Sequence, residues 1–291
     1  MPIALLGTGL LGTAIGQRLL SQQQPLQVWN RDPDRVQPLL ALGARAAATP
    51  GQAVSQSDWV ITVLSDGAAT RSVLLDQVGA ALAGCRVVQM GTIGPGESRE
   101  LADAIQQRGG AYLEAPVLGS RAEALAGRLQ IMAGGGDELF QQALPLLSLL
   151  GEEPQLMGPL GAGLETKLAL NQLIASLTHA FSLSLHLVQA AGVDGERFMG
   201  LLRQSALYAP TFDKKLAKLL AHDYANPNFP TAHLRKDLRL FQEAAAAYGL
   251  DGSALEGLAN LLERARGTPL DAMDYSSLHR LTESPQAPAA S

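Results

Sequence analysis

From residue 1 to about 157, short apolar runs alternate with amphipathic or Ala/Leu-rich stretches. The runs at 2–6, 26–29, 58–64, 86–90, 111–116, 128–133 and 154–157 are the predicted strands. Between them, 11–22, 33–42, 67–82, 97–108 and 137–150 are the predicted helices. Such alternation implies an α/β fold, a mostly parallel sheet with helices on both faces. After Gly158-Pro159 the pattern changes. Leu164 to Ala191 contains neither Gly nor Pro and predicts one long helix. Beyond it the chain reads as helical throughout, with breaks near Gly192-Val193, Ala209-Pro210, Asn226 to Pro230, Gly249 to Gly252 and Gly267 to Pro269. The expected organisation is a sheet domain over 1–160, a long interdomain helix over 161–191, and an all-helical domain over 192–291. Ser284–Ser291, rich in Pro, Ala and Ser, is expected to be disordered.

The first strand runs into Gly7-Thr8-Gly9-Leu10-Leu11-Gly12. Strand, glycine turn and helix start in that order form a dinucleotide-binding pattern of the Rossmann type. The first glycine turns the chain, the second lets backbone approach a pyrophosphate, and the third lets the helix close on the strand. Phosphate then meets unpaired N–H groups at the positive end of a helix dipole. The second strand ends at Asn30, where an NAD-selective site carries Asp or Glu for the ribose 2′-hydroxyl. Asn30 is uncharged and Arg31 follows it, so the site reads as one for NADPH, with a guanidinium to grip the 2′-phosphate. Asp32 and Asp34 oppose this and Arg35 offsets them.

Three loops at the carboxyl ends of strands are candidates for holding cofactor or substrate: Val63-Leu64-Ser65-Asp66, Met90-Gly91-Thr92-Ile93, and Glu114 through Ala115-Pro116-Val117-Leu118-Gly119-Ser120. On the long helix, Lys167 and Asn171 stand one turn apart on a common face. A cation near a helix start opposes the dipole, and the positions around it are apolar nearly all round. A partly desolvated lysine there is a usable proton donor. The adjacent Lys236-Asp237 by itself reads as a solvated helix face.

The chain has 291 residues, 47% of them hydrophobic, with a net charge of −5 and a single cysteine, Cys85. That balance offers no footprint for nucleic acid or an anionic membrane surface. One cysteine excludes an internal disulfide, and the five histidines form no ligand pair, so no metal is expected. The first basic residue is Arg18, which leaves no charged region ahead of an apolar leader. No apolar run free of polar interruption reaches the roughly 18 residues of a membrane span. A soluble, cytoplasmic protein is expected.

Taken together these residues resemble the β-hydroxyacid dehydrogenase family, which includes 3-hydroxyisobutyrate dehydrogenase, tartronate semialdehyde reductase and the glyoxylate/succinic semialdehyde reductases. Four motifs carry the resemblance: GTGLLG at 7–12, APVLGS at 115–120, GLETKLALN at 163–171 and FPTAHLRKD at 229–237. The resemblance implies Lys167 as proton donor or acceptor and Asn171 as its partner in positioning. It implies Thr92, Leu118, Gly119, Ser120, Phe229 and Asp237 around the substrate. For the cofactor it implies the 7–12 turn, Asn30, Arg31, Arg35, Leu64, Ser65, Thr92 and Lys236. The pairing of Asn30-Arg31 with the Gly-Ser loop ending resembles the glyoxylate/succinic semialdehyde reductase branch, which prefers NADPH. Leu118 stands where the family has a substrate-binding Ser, so Ser120 substitutes for it or the preferred substrate differs. The implied activity is NADPH-dependent reduction of a small aldehyde acid; the large apolar helix, which a single copy would leave uncovered, leads to the expectation of a homodimer or homotetramer. A dehydrogenase acting on 3-hydroxyisobutyrate or tartronate semialdehyde is one alternative, and an imine reductase, which Lys167 speaks against, is another. A non-catalytic NADPH-binding module has no need of the Lys167/Asn171 pair.

Overall fold

The computed structural model describes residues 2–283; the expected disordered tail, Ser284–Ser291, lies outside the described residues. Two compact units divide between Leu168 and Ala169, inside the long helix.

The first unit is the predicted α/β fold. Its elements run β1 (Ile3–Leu6), α1 (Leu10–Ser21), β2 (Leu26–Trp29), α2 (Gln37–Leu40), β3 (Arg45–Ala46), α3 (Pro50–Ser55), β4 (Trp59–Thr62), α4 (Gly67–Arg71), β5 (Arg86–Gln89), α5 (Pro95–Gln106), β6 (Ala111–Glu114), β7 (Val117–Leu118), α6 (Arg121–Ala126), β8 (Gln130–Gly134), α7 (Asp137–Leu147) and β9 (Gln155–Gly158), and the start of α8 (Ala162–Ala190) closes it. Strand order is β3-β2-β1-β4-β5-β6-β8-β7, with β9 beside β8. Pairing is parallel except where β8 meets β6 and β7. β1 is buried along its whole length, as a central strand covered on both faces must be. Its alternate residues feed two cores: Ile3 and Leu5 pack with Ile15, Val28 and Ile61, and Ala4 and Leu6 with Val60, Val87 and Leu101.

Three features differ from the sequence reading, the first being that the predicted helix over 33–42 is a 3₁₀ turn, Pro33–Val36, followed by the single turn of α2. The predicted helix over 67–82 is broken: α4 passes into a π-helical stretch, Ser72–Val78, and then a 3₁₀ turn at Gly79, whose φ of +54° suits only glycine well. The two-residue strands β3 and β7 and the short helices α3 and α6 lie in segments with too few residues to show a period.

The second unit holds the rest of α8, followed by α9 (Gly195–Arg203), α10 (Pro210–Leu220), α11 (Thr231–Ala247), α12 (Glu256–Glu263) and α13 (Leu278–Thr282). Every interval between these helices contains one of the predicted breaks. Ala175 joins a core with Leu234, Leu238 and Leu262, and Phe181 and Leu185 join another with Met199, Phe212 and Leu216. By length and composition α8 is apolar enough to cross a membrane. Its outer positions Leu173, Leu183 and Leu187 are exposed and follow helical spacing.

His279, fully buried on α13, stacks on His186 of α8 at 3.8 Å between ring centroids, and His222 lies 5.5 Å away. Tyr224 and Glu283 flank His222, and Arg280 pairs with Glu283. Burial, with the two neighbouring imidazoles adding to it, lowers the His279 pKa to about 3. The folded state therefore holds the neutral ring, and its stabilisation is complete above the unfolded value of about 6.5. It is lost as pH falls from there towards 3. Urea denaturation should show about 2 kcal/mol less stability at pH 5 than at pH 7 from this group, and His279→Gln should flatten that dependence.

Candidate functional site

The glycine turn has the geometry its spacing predicts. Gly7 has φ +100°, and a Cβ there would lie 2.4 Å from the Val63 carbonyl oxygen. A Cβ on Gly12 would lie 2.0 Å from the Gly7 carbonyl oxygen, so only glycine lets α1 approach β1 this closely. Gly9, at the N-cap of α1, has open space where its side chain would be, and no side chain caps the helix. Thr8 Oγ1 is buried without a hydrogen-bond partner. An uncapped helix start, open backbone and an unpaired hydroxyl fit a diphosphate. The cofactor-binding residues present are thus suited to the group.

Asn30 bridges two parts of this edge. Its Oδ1 accepts from the Thr8 backbone N–H at 3.1 Å, and its Nδ2 donates to the Asp32 carbonyl oxygen at 2.9 Å. Asp32 is paired with Arg35 at 3.3 Å and caps the following turn through Asp34 N–H. Arg31 is exposed and has no ion pair among the described residues. Leu10 is partly exposed at the start of α1, with Leu11 beside it. In the loop after β4, Ser65 donates to Asp66, whose other oxygen caps α4. Leu64 borders that loop, and Thr92 is half-buried after β5.

The loop after β6 contains β7, which pairs antiparallel with β8 and places Leu118 opposite Gln130. Gly119 has φ +140°, and a Cβ there would press on Leu129 at 2.8 Å. Ser120, one of the two answers offered for the missing hydroxyl at Leu118 (the other being a different substrate), is engaged within its own helix start. It is the N-cap of α6: its hydroxyl bonds the Glu123 carboxylate, and the same carboxylate accepts its backbone N–H at 2.7 Å. The Ser-x-x-Glu spacing at 120–123 is a capping-box signature that signals this role from sequence.

Glu114, not singled out among the expected site residues, is central here. It ends β6 and is fully buried. Its Oε1 accepts backbone N–H bonds from Gly161, Gly163 and Leu164 at 2.8, 3.0 and 3.2 Å. Its Oε2 accepts from the Ser98 hydroxyl at 2.6 Å, and Ser98 also bonds Tyr112 at 2.9 Å. Burial pushes the Glu114 pKa up, opposed by the hydrogen bonds from Ser98, Leu164, Gly161 and Gly163. Burial likewise raises the Tyr112 hydroxyl. The available signal was a carboxylate closing an otherwise apolar strand. Just beyond this helix start Lys167 is nine-tenths buried.

In the second unit, Asn171 is buried and its Nδ2 donates to Asp237 Oδ2 at 2.6 Å. Asp237, also buried, is paired with Lys236 at 3.0 Å through its other oxygen. Lys236-Asp237 is therefore an internal pair and not the solvated face that its sequence suggests. A carboxylate only accepts, so it must face the amide nitrogen; Asn171 Oδ1 then turns away, buried and unpaired. Phe229 packs on Tyr275 at 5.8 Å, and its carbonyl accepts the Tyr275 N–H. Lys167 and Asn171 share one face of α8, about 6 Å apart along its axis. Among the described residues no group of His, Cys, Asp or Glu is arranged to hold a metal ion.

Residues 2–158 match the family described as the NAD binding domain of 6-phosphogluconate dehydrogenase. Residues 161–282 match the one described as NAD-binding of NADP-dependent 3-hydroxyisobutyrate dehydrogenase. The chain is 29% identical to glyoxylate/succinic semialdehyde reductase 1 of Arabidopsis thaliana, over 96% of this chain and 97% of that one. It is 32% identical to the Arabidopsis protein named probable 3-hydroxyisobutyrate dehydrogenase-like 1, mitochondrial, over 88% and 77% of the two chains. A Mycobacterium tuberculosis 3-hydroxyisobutyrate dehydrogenase solved with L-serine shares the fold, with a TM-score of 0.86 at 23% identity over 97% and 99% of the chains.

Replacing Asp237 by Ala leaves the Asn171 amide nitrogen buried without an acceptor. Chemical denaturation of Asp237→Ala should show a loss of about 1–3 kcal/mol.

Proposed function

Because the chain belongs to the β-hydroxyacid dehydrogenase family, NAD(P)-dependent oxidoreductases of the 3-hydroxyisobutyrate dehydrogenase type, we propose that it is an NADPH-dependent reductase of small aldehyde acids. Its substrates are glyoxylate, reduced to glycolate, and succinic semialdehyde, reduced to 4-hydroxybutyrate. The observation that carries the reading is a nearly buried lysine one helical turn before a buried asparagine whose amide oxygen is unpaired. The name of the Arabidopsis relative supports the substrate class.

Held by the 7–12 turn, a nicotinamide would supply a hydride to the carbonyl carbon, the C=O π electrons passing to oxygen. The Lys167 ammonium gives that oxygen a proton. Asn171 Oδ1, aimed by Asp237, accepts a hydrogen bond from Lys167 or from the product hydroxyl. Leu118 carries no hydroxyl and Glu123 engages that of Ser120, so the substrate carboxylate falls to Thr92 and to backbone such as that of Gly119. By the family resemblance, Phe229 is assigned to the substrate and Lys236 to the cofactor. Selection of NADPH rests on Arg31, free of ion pairs beside the uncharged Asn30. The active form is a homo-oligomer, dimer or tetramer, in which a second copy covers the exposed Leu173, Leu183 and Leu187 stripe of α8.

Steady-state assays should show Lys167→Ala lowering kcat about 100- to 10,000-fold, with NADPH affinity changed only a few-fold; near-normal turnover would refute the assignment. Arg31→Ala should weaken NADPH by about tenfold or more and leave NADH nearly unchanged. In a panel of short aldehyde acids and hydroxyacids with both cofactors, glyoxylate or succinic semialdehyde with NADPH should give the highest kcat/KM. A preference for 3-hydroxyisobutyrate with NAD⁺ would overturn the substrate reading.

A further inference from the structure

We infer that Glu114 is a positioning residue for Lys167: its buried carboxylate, seated at the first turn of α8, sets where the amine stands and favours its protonated form. This rests on the reading of Lys167 as the general acid. Helix starts are ordinarily capped by a residue next to them in sequence. Here the cap arrives from a strand end 47 residues before Gly161. Three N–H groups converge on one oxygen, and a Tyr112–Ser98 hydroxyl pair anchors the other. The seat is shaped by small residues. A Cβ on Gly134 would lie 2.3 Å from Glu114 Oε1, and one on Gly163 would lie 2.4 Å from the Met132 carbonyl oxygen. The helix start is thus held against the ends of β6 and β8 together.

Lys167 follows Gly163 by one turn on the same face, and side chains on a helix lean back towards its N-terminus. Its stem therefore leans towards the capped turn. The helix start alone presents about half a positive charge and disfavours an ammonium there; the Glu114 carboxylate, in its ionised form, reverses that. The other charged groups on the elements packed around the helix start are Glu97, Arg99, Glu100 and Asp103 of α5, of which Glu100 and Asp103 are exposed, and Glu165 in the first turn of α8. Arg99 and Glu165 pair with each other at 2.9 Å. Glu97 accepts the Gly94 backbone N–H. Neither β8 nor β9 carries a charge.

Glu114→Gln keeps an oxygen for the N–H groups and removes the charge. The alkaline limb of the kcat–pH profile should move down by about one pH unit, with KM and NADPH affinity held within twofold. A ¹³C NMR titration of the reductively methylated protein, with the Lys167 signal identified by its absence in Lys167→Arg, should show the same displacement without any turnover. Ser98→Ala removes a hydrogen bond but keeps the charge, and should leave the limb in place. If Glu114→Gln does not fold, Glu114→Asp keeps the charge but shortens the reach, and should lower kcat at least tenfold with the limb unmoved. A Lys167 resonance that titrates identically in folded Glu114→Gln, or unchanged kcat in Glu114→Asp, overturns the proposal. Normal turnover of Lys167→Ala would instead refute the acid assignment, and the NMR displacement would still report on Glu114.

Discussion

A helix start exposes N–H groups that have no partner within the helix, and burying them is costly unless something accepts their bonds. At the start of α8 that acceptor is the Glu114 carboxylate, itself enclosed in the sheet unit. Losing it would leave three donors facing a dry interior, at about 1–3 kcal/mol for each one stranded. With it, the first turn of α8 is seated on the sheet unit. Leu164 can then enter the same core as Leu6, Val60 and Val87. The azimuth of this first turn sets the direction in which Lys167, one turn on, leaves the helix. The precision of the lysine therefore depends on a residue that the chain supplies from β6.

What was readable from sequence is what local chemistry decides. The glycines at 7, 9 and 12 act within a few residues of themselves: Gly7 has a positive φ, Gly12 a close approach to the Gly7 carbonyl, and Gly9 leaves open space at the helix start. Strands such as β1 and β4 show as apolar runs because both their faces are covered. The Gly- and Pro-free stretch from Leu164 shows as one helix because nothing in it interrupts the backbone ladder. Lys167 and Asn171 were readable as a pair because four residues make one turn.

What escaped the sequence depends on partners far along the chain. Glu114 has no local sign of its three N–H donors, which come from the far side of β7, α6, β8, α7 and β9. Lys236-Asp237 looks like an ordinary helix surface until α8 brings Asn171 to it. Ser120 is the opposite case. Its role was written locally in the spacing to Glu123, and the pull of a missing hydroxyl at Leu118 obscured it.

Asn30 links the backbone of the phosphate turn at Thr8 to the backbone of the next loop at Asp32, using both ends of one amide. A designer seeking NAD selectivity would put an acidic side chain at this position. That exchange preserves the acceptor for Thr8 but erases the donor to Asp32, and two like charges would then sit side by side. Rewriting the nucleotide selectivity of this scaffold thus requires rebuilding a loop, not swapping a letter.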